Sequence, residues 1–269
     1  MKVRVPASVA NLGPGFDLLA MAVDLWLEVE AEASDQPDWR FEGEGAEVLQ
    51  RTPNPISSLP LRGSVRSGIP LGVGLGSSAA ARLAALALSQ TDHESLLEAA
   101  TEGEGHPDNA AAAQFGGMVL VIEGRVHRLP TPDLEVALLV AREPFPTEAA
   151  RKVVPRQFAR EDAIFNAGRM ALFVHALHGR HWDLLGTAME DRIHQPYRLQ
   201  LFPWVDGVMA AACSAGAHGA GLAGAGPSVF AFCAPGRGQA VAAAMTAAAP
   251  DQGRPLVTRV SAEGMQWQP

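Results

Sequence analysis

The sequence predicts an α+β protein built from two domains, and three observations carry that reading. The first half runs in short strand-like stretches broken by glycine-rich turns, with two or three helical stretches between them. The second half reads β-α-α-α-β-α-β. The pattern changes near 140–150, after the apolar run "LEVALLVA" and the turn "EPFP", so domains of 1–145 and 146–269 are expected.

Composition narrows the class. The chain has 269 residues, 48% of them hydrophobic, enough to bury one large core or two moderate ones. Aromatic residues make up 6%, so alanine, leucine and valine must do most of the packing. The net charge of −8 argues against nucleic acid or an anionic membrane as a partner. Lysine occurs only at Lys2 and Lys152, which leaves almost none for phosphate chemistry. Cys213 and Cys233 are too few for a disulfide framework or a cysteine-based zinc site. The N-terminus has no apolar leader, and no window reaches the ~20 apolar residues that span a bilayer. A soluble, cytoplasmic protein is expected.

In chain order, "MKVRVPAS" alternates like a strand and is expected to stop at Pro6. Asp17–Ala33 ends in alternation, with Leu25, Leu27, Val29 and Ala31 on one face. "WRFEGEG" reads as a strand and turn, and 43–70 as irregular. A helix follows from about Ser78 to Ser89, rich in alanine and leucine and capped by a serine. Another covers about His93–Glu102, and a short one ends at Gly116-Gly117. "MVLVI" and "VHRLP" form a hairpin across "EGR", and 134–141 is a buried strand. Glu161–His178 is helical, with Ile164, Ala167, Ala171 and Val174 as its apolar face. Helices over Trp182–His194 and Val205–Ala215 precede the strand "SVFAFCA", the helix "GQAVAAAMTAAA" and a last strand, "PLVTRVS".

Five stretches carry chemistry. "GVGLGSS" (72–78) leads into a helix but lacks both the lysine of a Walker loop and the third glycine of a dinucleotide loop. What remains is glycine backbone at a helix N-terminus, which favours an anion, with serine hydroxyls that can reach a divalent cation. A tight turn capped by serine is the plainer alternative. "GAGLAG" (219–224) matches a dinucleotide pattern, but helix precedes it and strand follows, the reverse of what that site needs. It is read as a bend whose backbone approaches something closely. "ANLGPGFD" (10–17) presents Asn11 and Asp17 on a turn. "EGEGHPDN" (102–109) concentrates carboxylates, a histidine and an asparagine, suited to a cation, a proton transfer or a polar substrate. In "EDRIHQPYR" (190–198), Arg192, His194 and Arg198 could clamp a carboxylate. "HALHGRH" (175–181) looks metal-like through His178 and His181, but is read as an exposed helix end.

Together and in this order, "VPASVANLGPGFD", "PLGVGLGSSAAA" and "GAGLAGAGPSVFAF" resemble the three motifs of the GHMP kinase family. "ANLGPGFD", "EGHPDNAA" and "DRIHQPYR" look most like the members that phosphorylate L-homoserine. The resemblance implies an N-terminal mixed-sheet domain with a glycine-loop and helix phosphate site, and a C-terminal ferredoxin-like α/β sandwich. It implies that Pro70, Leu71, Gly72, Val73, Gly74, Leu75, Gly76, Ser77, Ser78 and Ala79 wrap the phosphates of ATP. Ser78, or else Ser77, would hold Mg²⁺ with Glu104, or else Glu102. Asn11, Asp17, His106, Asp108 and Arg198 match positions that hold the amino acid: Asp17 and Asp108 suit its ammonium and hydroxyl, Arg198 its carboxylate. Asn109 would lie near the transferred phosphoryl group.

The implied reaction is ATP plus L-homoserine giving ADP and O-phospho-L-homoserine, a step of threonine biosynthesis, by a protein compatible with a homodimer. Asp108 would act as base, unless the phosphate itself takes the hydroxyl proton. Two alternatives stay open: a GHMP kinase for another small alcohol, and a nucleotide-binding regulator without catalysis. Residues 43–70 are short for the family where its members help bind adenine, and Asn54 offers only a loose match there.

Overall fold

The structure, a computed structural model, describes residues 1–89, 95–102 and 106–268. Strands β1 (Lys2–Asn11) and β2 (Gly15–Ala33) form a long antiparallel hairpin. Pro6 does not end β1. It sits at a register shift between Pro6 and Ala7, where a missing N–H disrupts no regular ladder. The end of β2 alternates as expected: Leu27, Val29 and Ala31 are buried, although Leu25 is only half-buried. Its outward glutamates pair across the sheet, Glu30 with Lys2 at 2.8 Å and Glu32 with Arg62 at 2.6 Å.

Residues 43–70 are irregular only in part. After β3 (Asp38–Gly43) come a short helix, α1 (Ala46–Arg51), and β4 (Leu61–Ser67), which runs parallel to β3 and antiparallel to β2. Short elements rich in glycine and serine lack a periodic signal, and pairing with β2 supplies what local propensity does not. Helices α2 (Ser77–Leu88), α3 (Leu96–Thr101) and α4 (Asp108–Phe115) cover the inner face. Their alanines, including Ala80, Ala84 and Ala110–Ala113, are buried, so the helices lie close upon the sheet. The predicted hairpin forms from β5 (Met118–Ile122) and β6 (Arg125–Leu129), and β5 pairs with β2.

The second sheet begins with β7 (Glu135–Ala141), which lies ahead of the expected 145/146 boundary. Helices α5 (Thr147–Lys152) and α6 (Arg160–Gly179) follow. The predicted apolar face of α6 is its outer face: Ile164 is 64% exposed, and Ala167 and Ala171 face solvent. Phe173, Ala176 and Leu177 are buried instead, because the stripe with the larger apolar area wins the core. The expected Trp182–His194 helix is broken into a 3₁₀ turn and α7 (Leu185–Ala188), then the turn leading to α8 (Gln195–Arg198). Asp191 ends it by accepting from the N–H groups of Ile193, His194 and Gln195.

Helix α9 (Trp204–Ser214) precedes β8 (Gly219–Leu222), a strand where a bend was expected, and β9 (Val229–Cys233). Helix α10 (Gly238–Ala248), β10 (Gly253–Arg259) and β11 (Gln266–Gln268) complete the chain, β11 returning to pair with β1. The second sheet has the order β10-β7-β9-β8, a β-α-β-β-α-β unit of ferredoxin-like type. Both its faces are covered. Val136, Leu138 and Val140 join the large core shared with the first sheet, while Ala137 and Leu139 pack with α9 and α10 residues. That double burial explains the unbroken apolar run of β7.

Candidate active site

The β1–β2 turn, the head of α2, the head of α4, α5, α8 and the turn after β8 converge on one cleft of about 450 Å³. It is lined by Asn11, Asp17, His106, Asp108, Asn109 and Arg198 together with Gly72, Gly74, Gly76, Ser77, Ser78 and Ala79. Of the ten loop positions named from sequence, Pro70, Val73 and Leu75 have buried side chains and Leu71 faces a neighbouring hollow.

The glycine loop is held by its carbonyls. Gly72 O accepts from Phe145 N at 2.9 Å, Val73 O from Ser228 N at 3.3 Å, and Leu75 O from Ser8 N at 3.2 Å. In a planar trans peptide the following amide points the other way. The N–H groups of Val73, Gly74 and Gly76 therefore turn away from those partners, and none donates a hydrogen bond among the described residues. A side chain could not occupy either glycine position. Gly74 has φ +90°, and a Cβ there would lie 2.0 Å from Ala223 O; at Gly76, with φ +69°, it would lie 2.0 Å from Ser8 Oγ.

Helix α2 opens with Gly76 as its N-cap and no side-chain cap, so the expected serine cap is absent. Ser77 and Ser78 occupy the first turn, which holds no acidic residue to offset the dipole. Ser77 Oγ accepts a long 3.4 Å contact from Gly72 N, and Ser78 Oγ has no partner among the described residues. A free hydroxyl beside unpaired amides would suit a hard cation held next to a phosphate. Glu104, the expected second ligand, lies outside the described residues; Glu102 is exposed and does not line the cleft.

At the other end, Asp108 is the first residue of α4 and is 1% exposed. Its Oδ1 accepts from Asn109 N at 2.7 Å and lies 3.2 Å from His106 Nδ1. Burial pulls the His106 pKa down, but the hydrogen bond and charge of Asp108 outweigh it and the net shift is upward. Asn109 Oδ1 accepts from Ser8 Oγ at 2.8 Å, which leaves its amino group for the cleft. The β1–β2 turn is strained: Asn11, Leu12 and Asp17 all have positive φ without being glycine. Asn11 ties that turn down, donating to Gly224 O at 2.8 Å and accepting from Asp17 N at 3.1 Å.

Three cleft residues escaped the sequence reading. Arg151 of α5 forms an ion pair with Asp17, and Thr147 and Glu148 stand on the same helix. Only their α5 placement brings them here, and no local pattern marks a six-residue helix as a cleft wall. Of the trio Arg192, His194 and Arg198, only Arg198 lines the cleft. Arg192 reaches Asp162 at 3.4 Å and covers Phe165, while His194 lies buried behind Arg198. His178 is at the exposed helix end, its Nδ1 3.0 Å from Val174 O. The backbone after β8 does approach closely, since Gly224 O accepts from both Asn11 and Arg198.

A second hollow of about 280 Å³ adjoins the loop through Gly72, Ser77 and Ser78. It is walled by Leu27, Phe41, Ile56, Val65 and Ile69, so the segment read as irregular builds an apolar pocket. Asn54 is taken up in its own turn, donating to Leu49 O and accepting from Ile56 N and Ser57 N.

An amide-lined loop at a helix head, facing a pocket of mixed charge across two sheets of this topology, defines a small-molecule phosphotransferase, and the chain belongs to the GHMP kinase family. The profile for the GHMP kinases N terminal domain matches residues 44–117, and that for GHMP kinases C terminal matches 173–251. The particular relatives are homoserine kinases. One from Thermus thermophilus is 38% identical over 99% of this chain and 98% of its own; one from Moorella thermoacetica is 39% identical over 91% of each. The crystal structure of homoserine kinase from Cytophaga hutchinsonii superposes with a TM-score of 0.86 at 32% identity, covering 99% of this chain and 96% of that one.

Proposed function

We propose that this protein transfers the γ-phosphoryl group of ATP to the side-chain hydroxyl of L-homoserine, giving O-phospho-L-homoserine and ADP, in the cytoplasm and within threonine biosynthesis. The observation that carries the proposal is the pairing, in one cleft, of the amide-lined loop with Asp17, Asp108 and Arg198. A zwitterionic alcohol needs an anion for its ammonium, a cation for its carboxylate and an acceptor near its hydroxyl. The full-length similarity to homoserine kinases supports the same substrate.

The loop amides and the α2 head receive the triphosphate, and the apolar hollow receives the adenine. The adenine edge is read by backbone, since the side chain of Asn54 is already engaged. Ser78 and Glu104 would hold Mg²⁺, which would supply charge neutralisation at the phosphates. Asp17, kept in place by Arg151, meets the substrate ammonium, and Arg198 meets its carboxylate. Asp108 accepts the hydroxyl proton through the oxygen that His106 and the Asn109 amide leave unbonded. The Asn109 amino group, aimed by Ser8, faces the phosphoryl group in transit.

A coupled ADP-release assay with Mg²⁺ and ATP tests this on L-homoserine, mevalonate and shikimate. Turnover should be confined to L-homoserine. Faster turnover of another alcohol would reassign the substrate, and ATP binding without any phosphorylated product would make the protein a regulator.

A further inference from the structure

His194 sits in the middle of the buried structure behind the cleft and takes no part in the mechanism above. It is 0% exposed, and its ring stacks on Phe16 at 5.3 Å. Its Nε2 lies 2.8 Å from Gly13 O, a carbonyl, so Nε2 must carry the proton. In the neutral ring Nδ1 is then an acceptor, and Arg198 Nη1 donates to it at 3.1 Å. The same Nη1 also donates to Gly224 O at 3.1 Å, and Nε donates to Ala150 O at 3.2 Å. These bonds leave the Nη2 amino group with no partner among the described residues, on an arginine that is 1% exposed and lines the cleft.

Two of these anchors are backbone carbonyls that any folded form of the chain presents. The third is a side chain, and it connects Arg198 to the strained β1–β2 turn through Gly13. Asp191 does not replace it: its Oδ2 is 3.6 Å from Nε2, beyond a hydrogen bond, and its oxygens accept from backbone amides and Asn166. Burial keeps the ring neutral by lowering its pKa to about 4, although Asp191 pulls the other way.

We infer that His194 is a positioning residue: as a neutral Nε2–H tautomer it accepts from Arg198 and aims the remaining amino group of that arginine at the acceptor's carboxylate. The inference rests on the proposed substrate. Losing the acceptor at Nδ1 lets the guanidinium turn about its last torsion, which weakens recognition of a carboxylate and of nothing else in the cleft.

The test compares L-homoserine with 3-aminopropan-1-ol, the same alcohol and amine without the carboxylate, in wild type and in His194→Leu, His194→Asn and His194→Gln. Asparagine returns an acceptor near the Nδ1 position; glutamine reaches only the Nε2 position. His194→Leu should raise the KM for L-homoserine about 10- to 100-fold, the range of a hydrogen bond to a charged group, and leave the KM for ATP unchanged. Its kcat/KM for 3-aminopropan-1-ol should match wild type; where that alcohol is not turned over, its Ki against L-homoserine is the readout. His194→Asn should recover most of the loss and His194→Gln little of it, and these two carry the comparison if the leucine variant fails to fold. An equal loss on both acceptors, or recovery by glutamine and not asparagine, overturns the inference while the substrate stands. A wild type that does not discriminate the two alcohols, or does not turn over L-homoserine, overturns the substrate reading and this inference with it.

Discussion

At Asp108 two contacts meet on one carboxylate oxygen, from the Asn109 amide and the His106 ring, and the second oxygen remains for a substrate. If that oxygen takes the hydroxyl proton, Asp108→Asn should lower kcat by about 10²- to 10⁴-fold with little change in the KM for L-homoserine. A change confined to KM would make Asp108 a binding group and leave the proton to the phosphate. Ser78→Ala should raise the Mg²⁺ concentration for half-maximal rate, and unchanged activity at limiting Mg²⁺ would refute its role as ligand. His106 adds a pH signature. Its folded-state pKa is raised, so its contribution to stability is complete below about pH 6.5 and fades as the pH climbs through the raised value. The difference in Tm between wild type and His106→Gln should therefore shrink as the pH is raised above about 6.5.

The glycine loop shows how an element can be specified by what it must avoid. A Cβ at Gly74 would strike the carbonyl of Ala223, whose neighbour Gly224 holds Asn11 and Arg198. Gly74→Ala should therefore cost about 1–3 kcal/mol and raise the KM for both ATP and L-homoserine. At Gly124, with φ +75° in the open β5–β6 turn, an added Cβ would meet nothing within 4 Å. Gly124→Ala should cost about 1 kcal/mol of backbone strain and leave both KM values alone. Thermal melts with steady-state kinetics on the pair separate backbone strain from damage to the site. In α6 the two faces make a similar contrast. Ile164→Lys should stay within about 0.5 kcal/mol of wild type, whereas Phe173→Ala should cost about 3–5 kcal/mol, by denaturant titration.

At the level of the whole molecule, one apolar cluster runs from the first sheet through α2 and α6 to Phe230 and Phe232 of the second. The two sheets should accordingly unfold in a single transition. His194 crosses the same join, from α8 to the β1–β2 turn. Its folded pKa of about 4 lies below the ordinary value of 6.5. The unfolded chain therefore binds the extra proton first. The stability linked to His194 is complete above about pH 6.5 and declines as the pH falls towards about 4, by an amount on the order of a few kcal/mol. Urea midpoints followed across this range should fall more steeply for wild type than for His194→Asn. Parallel slopes would mean that the imidazole is not held neutral.

The sequence by itself determined the ordered motifs, the α+β class and most of the regular elements, because these are written in local terms. Glycines at alternate positions before an alanine-rich helix, and strands that alternate or are wholly apolar, need no partner to be recognised. It also named Asn11, Asp17, His106, Asp108 and Arg198, which the fold brings into one cleft although they lie far apart along the chain. Only the tertiary structure decided what depends on partners. Pairing with β2 made β4 a strand, and packing area chose the buried face of α6. The meeting of two sheets placed Arg151 opposite Asp17 and His194 behind Arg198. A side chain's role there is set by atoms that approach from distant parts of the chain, and the spacing of residues within one segment carries no record of that approach.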